Sequence, residues 1–184
     1  MTHSFVPIDF DVPESISTNN FYLTILAPTV SEIDYEAVMS SKTRLRTIFG
    51  ENTVWPSDSM TLEDNSRDLL HHENEFKSRK AFAYSVLTNS QDKCIGSVYI
   101  DPCKSIEFDS EVYLWVRDDS IHLDTELYDF ISHWLSTSWP FLNVAFPGRE
   151  LSWEKWSTLE TGSGTSTPHT VYSRGRPRAV IQKS

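Results

Sequence analysis

A chain of 184 residues with 39% hydrophobic and 12% aromatic side chains has an ordinary globular composition, enough for one well-formed core. The formal charge of −10 is unevenly spread: no acidic residue follows Glu160, whereas Arg174, Arg176, Arg178 and Lys183 all do, leaving −14 on residues 1–160 and +4 beyond. A body that acidic excludes non-specific nucleic-acid binding through its main surface. No internal repeat is visible, and no apolar run is long enough to cross a bilayer. Met1–Phe10 lacks the basic and apolar stretches of a secretory leader, which gives the expectation of a soluble cytoplasmic protein. If residues 94–100 form one extended strand, Cys94 and Cys103 are beyond disulfide reach unless the chain doubles back after Pro102, so two reduced thiols are expected.

Residues 1–20, rich in Pro, Ser, Asp and Asn, read as an irregular surface arm before a domain spanning 21–160. Phe21–Leu26 reads as a strand closed by Pro28. Ser31 then caps a helix, with Asp34 at the capping-box position and Ile33, Ala37, Val38, Ser41, Leu45 and Ile48 on one face, ending at Gly50. Thr61 caps a second helix running to about Arg79, whose buried stripe is Leu62, Leu69, Leu70 and Phe76. His71, His72, Glu73 and Glu75 on that helix carry no His pair at i, i+4, so they read as a solvated face and no metal is expected. Phe82–Leu87 and Cys94–Ile100, joined by a polar turn, form an antiparallel hairpin.

The most informative stretch is Glu111–Leu135. Val112, Leu114 and Val116 alternate with Tyr113 and Trp115, the pattern of a strand buried on both faces. Asp124 stands at an N-cap position, Leu123 and Tyr128 at staple positions, and Leu127, Phe130, Ile131, Trp134 and Leu135 fall on one helical face. A strand over Leu142–Phe146, a Pro147-Gly148 turn and a short helix capped by Ser152 complete the domain, and residues 161–184 read as a Gly/Ser/Thr link and basic tail. The order β-α-α-β-β-β-α-β-α makes the last two strands parallel if adjacent. The fold class is therefore α/β, a mixed and mostly antiparallel sheet with one parallel strand pair.

This order resembles that of the GNAT (GCN5-related N-acetyltransferase) superfamily of acyl-CoA N-acyltransferases. Leu114-Trp115-Val116, the patterned helix after it, and the segments around Trp55-Pro56, Ala81-Phe82-Ala83-Tyr84, Gly96–Pro102 and Phe146–Arg149 are similar to a GNAT-like subgroup, over roughly residues 21–156. The resemblance implies acetyl-CoA as cosubstrate, with its pantetheine arm paired to the main chain of Trp115, Val116 and Arg117 in a gap between the last two strands. The diphosphate would then sit at the loop that includes Ser120 and at the first turn of the next helix. It also implies an amine acceptor, with Glu111 matching the position of a catalytic glutamate beside the apolar Tyr113 face. The family's phosphate loop carries glycines; here Ile121, His122 and Asp124 stand at those positions, and Asp118, Asp119, Asp124 and Glu126 bring like charge to the site. Arg117 and Arg149, emerging together at the sheet edge, would replace the glycine nest as an anion grip, or each would neutralise a nearby Asp118, Asp119 or Glu150.

Two other readings stand beside this one. The acidic, glycine-free loop favours a catalytically inactive GNAT-like binding or scaffold module. Ser173–Arg178 resembles the AT-hook, a minor-groove DNA motif, although residues 171–172 and 179–182 also read as a hairpin turning at Gly175–Pro177. Trp115, Trp134, Trp139, Trp153 and Trp156 read as core, or as an aromatic wall for the acceptor. The oligomeric state is open, a homodimer included.

Overall fold

Residues 4–162 are described by the computed structural model, with side chains as far as Leu159. Six strands lie side by side in chain order: β1 (Ser15–Ser17), β2 (Tyr22–Ile25), β3 (Phe82–Leu87), β4 (Cys94–Pro102), β5 (Ser110–Val116) and β6 (Val144–Ala145). Every neighbouring pair is antiparallel except β5 with β6. The helices are α1 (Ser31–Ser40), α2 (Lys42–Leu45), α3 (Leu62–Lys77), α4 (Asp124–Ser138) and α5 (Trp153–Gly162). Among the described residues, no helix is long and apolar enough to cross a membrane.

Side-chain alternation along β5 builds two cores. Val112, Leu114 and Val116 pack with Leu127, Ile131, Trp134 and Leu135 of α4. Tyr113 and Trp115 point the other way, into a cluster with Ala37 and Val38 of α1, Leu45 of α2 and Leu69 of α3. Trp115 is fully buried, so its indole is core rather than a ligand wall. Gly96 of β4 lies so close to β5 that an added Cβ would fall 1.8 Å from the Trp115 carbonyl oxygen, the close approach that only glycine permits.

Four local expectations change. The segment read as a surface arm is packed: Val6 and Val12 are buried in the α4-side core, and residues 15–17 form the edge strand β1. Ser31 opens α1 behind a 3₁₀ turn over Pro28–Val30 and makes no capping bond, because Asp34 is buried and accepts from Asn65 Nδ2 of α3 at 2.9 Å instead. The single helix expected to run to Gly50 breaks at Ser41, whose Oγ accepts the Asp118 amide at 2.9 Å. Asp124 is the first residue of α4, not its cap; its carboxylate pairs with Arg149. Thr61 and Asp64 do form the reciprocal capping box of α3.

Candidate active site

The parallel pair β5–β6 is two residues long, Ser110 with Val144 and Glu111 with Ala145. It ends there because Phe146-Pro147-Gly148 turns the chain away: proline has no amide proton for a ladder, and Gly148 takes a positive φ of 78°. β5 runs on to Val116, so among the described residues no strand pairs with 112–116 on their outer side. Arg117 donates its amide to Ile95 of β4 at 2.7 Å, which turns residues 113, 115 and 117 inward and residues 112, 114 and 116 outward along the backbone. The main chain facing the gap is thus that of Leu114 and Val116, whereas that of Trp115 and Arg117 faces β4. The outward carbonyls are occupied by guanidinium groups: Arg149 Nη2 lies 3.4 Å from Leu114 O, and Arg44 Nη2 donates to Val116 O.

A sheet splayed at its one parallel pair, with a helix starting at the open end, matches solved acetyltransferases. The ribosomal-protein-S5-alanine acetyltransferase of Vibrio fischeri superposes with a TM-score of 0.54 at 16% identity, covering 84% of this chain and 82% of that one. A Vibrio cholerae chain assigned as a ribosomal-protein-serine acetyltransferase gives 0.51 at 12% identity, over 66% of this chain and 65% of that one, just under two-thirds of its length. RimL, a ribosomal L7/L12 alpha-N-protein acetyltransferase, gives 0.50 at 14% identity, covering 70% and 68%. The fold is GNAT-like. No family model and no curated protein sequence matches the chain.

In this GNAT-like frame the loop after β5 is not an open phosphate nest. Residues 118–123 form 3₁₀ turns whose amides are used internally: Asp118 N–H goes to Ser41 Oγ, Ser120 N–H to Arg117 O at 3.0 Å, and Asp124 N–H to Ile121 O. Ser120 is buried and its hydroxyl donates to Asp119 at 2.9 Å. Arg117 and Arg149 do not emerge together. Arg117 is in phase with Tyr113 and Trp115, so its guanidinium is buried on the α1 side, bonded to Glu36 at 2.6 and 2.7 Å, with Nε 2.8 Å from Asp119. The hydrogen bonds from Arg117 hold the Glu36 carboxyl below its usual range and Arg117 above its own. Arg149 lies on the α4 side, making two 2.7 Å bonds to Asp124 and covering the Tyr128 ring at 5.6 Å. The neutralising reading of each arginine therefore fits the contacts, with Glu36 and Asp124 as partners the chain order did not show.

Arg44 was not legible as a site residue. In sequence it is one basic residue among Lys42, Arg44 and Arg46; the break at Ser41 re-aims it so that Nε bonds Asp118 at 2.7 Å while Nη2 reaches Val116 O.

Glu111 is the last residue of β5 paired with β6, at the foot of the gap, half-buried, with Tyr113 Oη 3.5 Å from its Oε1. Asp101 stands opposite it on β4. The same face carries Phe49, whose ring centroid is 5.3–5.4 Å from those of Trp55, Tyr99 and Tyr113, and Trp153 stacked on Tyr113 at 6.4 Å. His72 belongs to this face too. It is buried with its ring 5.4 Å from Tyr99, so the polar stretch 71–75 of α3 is not uniformly solvated as its composition implies. Among the described residues, no cluster of His, Cys, Asp and Glu is arranged to hold a metal ion. Neither Cys94 nor Cys103 is in a disulfide, and burial pushes the Cys94 thiol well above its ordinary pKa.

Proposed function

We propose that this chain is an acyl-CoA-dependent N-acyltransferase that moves an acetyl group from acetyl-CoA to a primary amine. The observation that carries the reading is the outer edge of β5 over residues 112–116, which no strand among the described residues covers, in a GNAT-like sheet. Pantetheine would pair there with Leu114 and Val116, placing the thioester at the foot of the gap beside Glu111. Glu111 takes a proton from the acceptor ammonium, directly or through one water, because only the free amine is nucleophilic. The amine nitrogen then attacks the thioester carbonyl, and the tetrahedral adduct collapses with the C–S bond breaking, the nitrogen giving up its second proton through water and CoA leaving as a thiolate that solvent protonates. The aromatic face of Phe49, Trp55, Tyr99 and Tyr113 is where the acceptor would lie. The solved neighbours named for acetylating ribosomal proteins support a protein amine as one acceptor class, beside small amines. Action on acyl-CoA places the protein in the cytoplasm on this reading.

A second reading, a catalytically silent GNAT-like binding module, is favoured by the guanidinium caps on Leu114 O and Val116 O and by the glycine-free loop. Calorimetry with acetyl-CoA separates the two. The transferase binds it in the micromolar range, and Glu111→Gln lowers turnover on an amine acceptor by roughly 10²-fold or more with acetyl-CoA affinity unchanged. Absence of binding supports the module.

The AT-hook and hairpin readings of the tail concern residues outside those described.

A further inference from the structure

The open edge of β5 is covered by two arginines from elements far apart in the chain. Arg44 of α2 reaches Val116 O while its Nε bonds Asp118 at 2.7 Å. Arg149, after β6, reaches Leu114 O at 3.4 Å while both its terminal nitrogens bond Asp124 at 2.7 Å. Residues two apart on a strand are separated by about 6–7 Å, so the two forks meet the edge within the span of one extended polyanion. Both side chains are partly exposed, at 30% and 26% of their area, and so can change partners without unpacking the core. Arg117 cannot, being 93% buried and gripped by Glu36.

We propose that Arg44 and Arg149 are a two-arginine clasp for the diphosphate of a CoA-type ligand. Asp118 and Asp124 hold the clasp over the β5 carbonyls until that anion displaces them. The proposal rests on the acyl-CoA reading above and adds to it the residues and the exchange. Arg149 holds Asp124 at two points and Arg44 holds Asp118 at one, through Nε, and a phosphate's oxygens can take the place of either carboxylate on the planar guanidinium. The side chains are needed because the loop amides of Asp118, Ser120 and Asp124 are spent on Ser41, Arg117 and Ile121. Release of Leu114 O and Val116 O then follows from the same movement, freeing the acceptors that pantetheine requires. The binding of one end of the ligand thereby opens the seat for the other.

The test is calorimetric titration of the full chain with CoA, with pantetheine and with inorganic pyrophosphate. The variants are Arg44→Gln, Arg149→Gln, Asp118→Asn and Asp124→Asn, with Arg67→Ala as a surface control and thermal unfolding as a check of folding. Each arginine variant is expected to weaken CoA and pyrophosphate by about tenfold or more, and not to weaken pantetheine, whose acceptors on β5 it uncaps. Each Asp→Asn variant, freed of a competing carboxylate, is expected to tighten CoA several-fold, a gain that damage to the fold would not produce. CoA binding unchanged in both arginine variants, or weakened by Asp→Asn, overturns the clasp and leaves the acyl-CoA reading standing. Arginine-dependent binding of pyrophosphate with no added affinity for CoA keeps the clasp and overturns the acyl-CoA reading. Binding of neither overturns both.

Discussion

Asp34 carries a consequence that its sequence position conceals. It lies in the first turn of α1, where an acidic residue reads as a partner for the helix N-terminus, yet it is buried against Asn65 of α3 and Cys94 and Ser97 of β4. Burial pushes its pKa from 3.8 up to about 6, against the donors that favour the anion and with Asp68 nearby adding to the rise. Below about pH 3 the group is protonated in folded and unfolded chains alike and costs nothing. As pH rises from about 4 to about 6 the unfolded chain gives up this proton while the folded chain, with its dry site, holds it, so stability falls, by about 3 kcal/mol once the change is complete near pH 6. Glu36 and Asp119, whose pKa values are lowered, contribute in the opposite direction, so the group is isolated by difference. Asp34→Asn is predicted to be more stable than the parent at pH 7.5, with the advantage vanishing by about pH 3; equal differences at both pH values in urea melts would refute this. Local pattern could not reveal it. The capping-box spacing was present, but a tertiary partner, Asn65, won the carboxylate. At Thr61 the same spacing had no such competitor, and the box formed.

Among the elements, β5 was the most legible, because two-sided burial writes itself as an unbroken apolar run with alternation, and α4 followed from its 3.6-residue stripe. Element ends were less so. The strand expected over 142–146 is only Val144–Ala145, and that shortening creates the gap. Nor does sequence spacing show which backbone groups face outward: that depends on the register with β4, fixed by Arg117 N–H to Ile95 O and by Gly96 beside Trp115. Gly96→Ala would drive a methyl into the β5 backbone, 1.8 Å from Trp115 O, with no flexible side chain to yield. It is predicted to cost about 3 kcal/mol or more in chemical denaturation and to weaken ligand binding at the neighbouring edge. A loss under about 1 kcal/mol would show that β4 and β5 can separate freely there.

For the molecule as a whole, the order of elements carries the GNAT-like fold at identities of 12–16%, because layer order and one parallel step are properties of the element pattern and not of signature residues. The family's loop glycines are absent, and on the clasp proposal side chains take over the anion. Of the four acidic residues 118, 119, 124 and 126 that stand against an anion, the first three are each paired with a cation, Arg44, Lys93 and Arg149, while Glu126 accepts from Asn20 Nδ2 at 2.7 Å. The −14 body is therefore less hostile at this end than its total implies, and whether a phosphate enters is a matter of exchange among pairs rather than of net charge. The most direct measurement is residue-resolved amide hydrogen exchange along β5 with and without acetyl-CoA. Pantetheine pairing on the open edge predicts that the outward amides of Leu114 and Val116 slow markedly with ligand, while those of Trp115 and Arg117, already turned to β4, change little. Saturating acetyl-CoA that leaves Leu114 and Val116 exchanging at their free rates would contradict the account.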